Sequence, residues 1–97
     1  MRYFKLEEFD SPDEPGSGSN MHEEILHMLD VVRKKYGKPI KINSGYRTVD
    51  RNKKIGGVKN SSHLKGLAVD ISCKESKDRF ILLNLLIEVG FRRIGIA

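Results

Sequence analysis

The densest run of chemistry-bearing side chains is Asn60-Ser61-Ser62-His63-Leu64-Lys65-Gly66-Leu67-Ala68-Val69-Asp70. Imidazole and carboxylate both suit a zinc ion. His63 stands in a loop that leads into a strand pattern. Asp70 lies on that strand, on its small, polar side with Ala68 and Ser72. Gly66 and Ala68 leave room between them for a metal and a substrate against a sheet. On spacing alone, the simpler reading of one His and one Asp is a surface histidine and a turn-proximal aspartate.

Other candidates carry less. His22 and His27 are five residues apart, about 140° around a helix, so they cannot share a metal as an i, i+4 pair does. Both read as helix-surface histidines. Cys73 shares the apolar side of its strand and reads as a core thiol rather than a nucleophile. Glu75 and Glu88 are conceivable bases, but a strand end and a late helix position favour solvated surface. Gly56-Gly57 is no phosphate loop, because no Gly-x-x-x-x-Gly-Lys pattern exists.

The surrounding pattern says what must hold these residues. Phe4, Leu6 and Phe9 predict one docked helical turn, and the Pro/Gly/Ser-rich run from Asp10 to Ser19 predicts a flexible loop. Asn20 with Glu23 predicts a capping box. It would open a helix whose apolar stripe is Ile25, Met28, Leu29, Val32 and Tyr36, stopped by Gly37 and Pro39. Ile40 to Tyr46 alternates as a strand, with Ile40, Ile42, Ser44 and Tyr46 on one side and Lys41, Asn43, Gly45 and Arg47 on the other. Thr48 predicts the cap of a short helix over residues 49–55. Leu67 to Cys73 predicts a second strand, Lys77 to Val89 a helix apolar on most sides and so well buried, and Phe91 to Ala97 a third strand. The fold class expected is α+β, with helices packed on a small, mainly antiparallel sheet.

Ninety-seven residues are enough for one domain and one core. With 38% hydrophobic and 32% charged residues the chain reads as globular, not disordered. No apolar run approaches the ~20 residues of a membrane span, so no membrane insertion is expected. The acidic N-terminal stretch has no signal-peptide core. One cysteine excludes an internal disulfide and a multi-cysteine zinc site. The net charge of +5 is concentrated in residues 31–65, where eleven basic side chains face Asp50 alone. That points either to an anionic partner or to a solvated basic face. No nucleic-acid motif accompanies Arg33-Lys34-Lys35 or Lys53-Lys54, so no nucleic acid is expected, although a basic nucleic-acid-binding domain is a third reading.

The run from Ser61 to Asp70 reads Ser-x-His-x-x-Gly-x-Ala-x-Asp, and here the sequence resembles the zinc D-alanyl-D-alanine carboxypeptidase family, which includes phage L-alanyl-D-glutamate endolysins. Ser44-Gly45-Tyr46-Arg47-Thr48, Asn52 and Ile55-Gly56-Gly57-Val58 resemble the region preceding that motif, and Phe4 to Phe9 resembles the start of its short members. The resemblance spans essentially the whole chain.

It implies the α+β fold shared with hedgehog signalling domains and zinc-assisted hydrolysis of a peptide bond in a peptidoglycan stem. It implies His63 and Asp70 as zinc ligands, Ser61 as the residue that orients the His63 loop, and Arg47 as the group that binds a substrate carboxylate or polarises the scissile carbonyl. For Arg47 a structural salt bridge to Asp50 or Asp70 is the competing reading. The family's third zinc ligand, a histidine in a late His-x-Asp segment, and the acid/base residue beside it have no counterpart after Ile94-Gly95-Ile96. The expectation is therefore a single monomeric domain over 1–97 lacking its last strand, inactive in this form and acting at the cell wall, with cytoplasmic synthesis and phage-type release or an unknown export route. The alternative is a non-catalytic cell-wall-binding module of the same fold.

Overall fold

The apolar stripe of residues 25–36 forms helix α1, Glu23–Tyr36. Glu23 and Glu24 lie in its first turn and Arg33, Lys34 and Lys35 in its last, each matched to the helix dipole. Its buried face is Leu26, Leu29 and Val32. The expected Asn20–Glu23 capping box does not form. Asn20 already closes a 3₁₀ turn, Ser17–Asn20, and the position before α1 is His22, whose side chain makes no capping bond. The helix start is anchored instead by the His22 N–H, which donates to the Gly66 carbonyl at 2.9 Å. The computed structural model describes residues 1–91 and 95–96.

Ahead of α1, Leu6–Phe9 makes a 3₁₀ turn that buries Phe9, as the sequence predicts. The following segment is not the flexible loop expected from its composition. The Asp10 carboxylate accepts the N–H groups of Gly16 at 3.0 Å and Gly18 at 2.7 Å, and the Ser11 N–H donates to Ser17 Oγ at 2.8 Å. These local side-chain-to-backbone bonds turn the segment back on itself and bury Ser11 and Ser17.

Three strands follow: β1, Lys41–Ser44; β2, Asp70–Ser72; β3, Gly95–Ile96. The sheet order is β1-β2-β3. β1 and β2 pair antiparallel, whereas β2 and β3 pair parallel, so the sheet is mixed. The parallel pair follows from the crossover between them, helix α3, Ser76–Val89, which returns the chain to the same end of the sheet. Of the third strand expected over 91–97, Arg92, Arg93, Ile94 and Ala97 lie outside the described residues.

The β1–β2 register slips by one residue. Ile42 faces Ile71, but Ser44, not Asn43, faces Asp70. Such a bulge swaps the side-chain faces beyond it. Ser44 therefore leaves the Ile40–Ile42 side, where simple alternation puts it, and joins the polar face that carries Asp70.

The core joins Phe4 and Phe9, the inner face of α1, Ile40, Val69 and Ile71 of the sheet, and Leu82 and Leu86 of α3. α1 and α3 pack together. α3 is less buried than its composition predicts. Only Leu82 and Leu86 are fully covered, while Phe80 is 68% and Ile87 58% exposed. A helix lying on one layer buries one stripe, whatever its other faces carry.

Candidate active site

The site is built by the connection between β1 and β2. Thr48 caps helix α2, Val49–Lys54, accepting the Arg51 N–H on its hydroxyl at 3.1 Å as expected. A 3₁₀ turn, Ser62–Lys65, then carries His63, and Ser61 caps it, its hydroxyl accepting the His63 N–H at 3.2 Å. Ser61 thus caps the turn that carries His63.

His63 is buried and its ring orientation is fixed by one bond. Nδ1 lies 2.8 Å from the Gly45 carbonyl oxygen. A carbonyl can only accept, so Nδ1 carries a proton and Nε2 is the ring nitrogen left to face the site. Nε2 faces Asp70 Oδ2 at 3.3 Å. Two acceptors at this distance repel unless a proton or a cation lies between them. The hydrogen bond to His63, then the charges of His63 and Arg47, hold the Asp70 carboxyl below its ordinary value, against partial burial, which pulls it up.

Arg47 completes the cluster. Its Nη2 lies 3.8 Å from Asp70 Oδ2 and 3.5 Å from Ser44 Oγ, and its side chain is 12% exposed. The bulge explains this placement, since Ser44 reaches the Asp70 face only because of the one-residue slip. The salt bridge to Asp70 that competes with a functional role exists, at long range. It leaves both readings of Arg47 compatible, because the same geometry aims the guanidinium at the His63–Asp70 pair.

His63 and Asp70 line a cleft of about 230 Å³ together with Val58, Ser61, Ser62 and Gly95, and Arg47 lies behind them beside Asp70. Gly95 faces Asp70 across the parallel pair, where a Cβ would lie 2.0 Å from Asp70 Oδ1. Two larger clefts, of about 580 and 660 Å³, lie along α1; the first has Arg2, Glu23, His27 and Asp30 on its walls, but these are exposed or half-buried, whereas His63 is buried and held by a directed bond. The family profile of peptidase M15 matches residues 2–97. The chain belongs to this peptidase family. It is the zinc D-alanyl-D-alanine carboxypeptidase-like family that the motif resembles, and the small α+β architecture is compatible with it. No curated protein and no solved structure matches the chain.

The remaining candidates stay apart from the site. His22, just before α1, and His27, on it, are exposed, and Glu75 is exposed beside α3. Glu88 is exposed and pairs with Lys35. Cys73 packs partly buried against the core. Among the described residues no group of three or more His, Cys, Asp or Glu could hold a metal. No helix of the described residues is long and apolar enough to cross a membrane. One site residue was quoted in the sequence only as part of the resemblance. Asn52 is buried and accepts a hydrogen bond from Arg47 Nη1 on Oδ1 at 3.0 Å. Its position four residues after the Thr48 cap, on so short a helix, was the available signal.

Proposed function

We propose that this M15 peptidase hydrolyses a peptide bond in peptidoglycan stem peptides with a zinc ion held in part by His63 and Asp70. The observation that carries the reading is Nε2 of a His63 held by Gly45 facing Oδ2 of Asp70 at 3.3 Å. Zinc bonds of 2.0–2.2 Å at tetrahedral angles separate an imidazole nitrogen and a carboxylate oxygen by about 3.4 Å. The donor set and its spacing therefore fit the ion. Bound there, zinc supplies Lewis acidity and an acidified water.

The chain's own residues do the rest. The Gly45 carbonyl fixes the His63 tautomer and makes the ring a better donor. Asp70 brings negative charge on a strand rather than a loop. Arg47 brings a permanent positive charge beside the His63–Asp70 pair, suited to a substrate carboxylate or to the oxygen of a carbonyl under attack. Small residues, Gly95 and Ala68, keep the wall open to a peptide backbone. Under this reading the partner is the stem peptide, the place of action is the cell wall, and the chain works as a monomer.

Among the described residues His63 and Asp70 are the candidate ligands, one fewer than a catalytic zinc normally has, and these two by themselves are expected to hold zinc weakly. The second reading is a non-catalytic cell-wall-binding module of the same fold. Zinc titration of the wild-type chain and of His63→Ala, with hydrolysis of isolated stem peptides, tests both. Zinc binding lost with His63 supports the site, and identical binding by the two proteins removes His63 from it. Retention on cell walls without zinc and without hydrolysis would favour the module.

A further inference from the structure

A guanidinium that reaches two partners only at 3.5 and 3.8 Å needs something else to set its angle. That group is the Asn52 amide, which is 3% exposed. Oδ1 accepts from Arg47 Nη1 at 3.0 Å, and Nδ2 donates to the Val58 carbonyl at 2.8 Å. The Asn52 carbonyl also accepts the Gly57 N–H at 2.8 Å. One buried amide therefore joins Arg47 to the loop whose Val58 lines the cleft. The fit leaves no spare room. A Cβ on Gly57 would lie 2.1 Å from Asn52 Oδ1 and 3.2 Å from Arg47 Nη1.

We propose that Asn52 is the positioning residue for Arg47, and that Gly57 is the space that permits it; the proposal deepens the reading of Arg47 as the substrate-facing cation and rests on it for its kinetic part. With Nη1 taken by Asn52, the Nη2 edge of the fork is turned toward the His63–Asp70 pair. The acceptor is an amide, and that choice has a chemical consequence. A carboxylate there would hold the fork as well but would neutralise it. An amide fixes the direction without adding a second carboxylate to Asp70, which already lies 3.8 Å from Nη2, and so leaves more of the positive charge for an anionic or polarised substrate oxygen.

Three variants separate direction from charge: Asn52→Ala removes the acceptor, Asn52→Asp keeps it and adds a charge, and Gly57→Ala presses on Oδ1 without removing any polar group. The direct readout is the nitrogen-15 spectrum of the Arg47 guanidinium, assigned by its loss in Arg47→Lys. Restricted Nη signals are expected in the wild type and in Asn52→Asp, and averaged ones in Asn52→Ala and Gly57→Ala. In the hydrolytically active protein, Asn52→Ala should lower kcat/KM at least 10-fold. Asn52→Asp should lower it as well, chiefly through KM, although Arg47 stays fixed. Should Asn52→Ala fail to fold, Gly57→Ala carries the same spectral test. Unchanged Arg47 signals in a folded Asn52→Ala or Gly57→Ala protein overturn the proposal. Full activity of Arg47→Ala would instead overturn the reading of Arg47, and the spectra would still decide what Asn52 does.

Discussion

Residues 44–70 and helix α3 hold their shape by different means. In 44–70 the structure is carried by directed polar contacts: Gly45 carbonyl to His63, Ser61 to the His63 N–H, Thr48 to Arg51, Asn52 to both Arg47 and Val58. In α3 it is carried by two leucines, Leu82 and Leu86, with the other apolar side chains exposed or half-buried. Hydrogen bonds fix angles, and apolar burial fixes only a face. The region that must place three side chains within a few ångströms uses the first, and the helix that must only cover the core uses the second.

The largest effect expected from breaking this contrast lies in α3. Leu82→Ala should destabilise the protein by about 2–5 kcal/mol, because it empties a fully buried position. Leu83→Ala one residue on should cost within about 0.5 kcal/mol. Denaturant melts of the two measure the difference, and equal losses would mean that the face of α3 is misassigned.

In the active protein, Arg47→Lys should lower kcat/KM by ~10²-fold, a loss of ~2.7 kcal/mol of transition-state stabilisation. The Asn52 bond goes with the fork, so a stability loss of about 1 kcal/mol should accompany it. A sharp fall in melting temperature with normal turnover of the folded fraction would make Arg47 scaffold only.

Gly45→Ala should cost about 1–3 kcal/mol, since its Cβ would lie 2.8–2.9 Å from the Phe9 backbone and Cβ. It should also lower zinc affinity, because the carbonyl that orients His63 must move. Zinc binding unchanged in a destabilised Gly45→Ala protein would uncouple the two.

A smaller, pH-dependent effect belongs to Asp70. Its folded pKa is depressed, so the stability it contributes is complete above about pH 4 and is lost as the pH falls through the folded value. In chelator, the melting temperature of Asp70→Asn should therefore lie below that of the wild type at pH 6, and the gap should close in acid. A gap independent of pH would assign the loss to packing. The smallest effect, within about 0.5 kcal/mol, is expected for Phe80→Ser on the exposed face of α3.

The same contrast accounts for what could be read from the chain. α1 was legible because an apolar stripe and a glycine stop are local signals, and so was the Thr48 cap. The Ser61–Asp70 motif named His63 and Asp70, which the structure brings together. The bulge at Asn43 was not legible, because a one-residue slip depends on the partner strand, and with it went the true side of Ser44. The segment after Phe9 looked flexible by composition, although Asp10 ties it through backbone N–H groups that no side-chain pattern reveals. α3 misled in the opposite direction. Apolar content gives the number of side chains able to be buried, and the single layer beneath the helix decides how many are.

The contact of Phe9 with Gly45 also bears on how the molecule assembles and opens. Next to it, the Tyr46 N–H donates to the Phe9 carbonyl at 2.9 Å, and the Thr48 hydroxyl donates to Asp13 across 35 residues of chain. Closing a loop of that length has an entropic cost before any contact repays it, whereas α1 and α3 form from neighbours in sequence. The polar cluster is thus expected to mature after the helices and to be the first part lost when the N-terminal arm lifts away. The Tyr46 amide, bonded to that arm, should exchange with solvent faster than the Leu29 amide inside α1. Equal protection of the two would mean that arm and helices open together, and that the site lasts as long as the fold does.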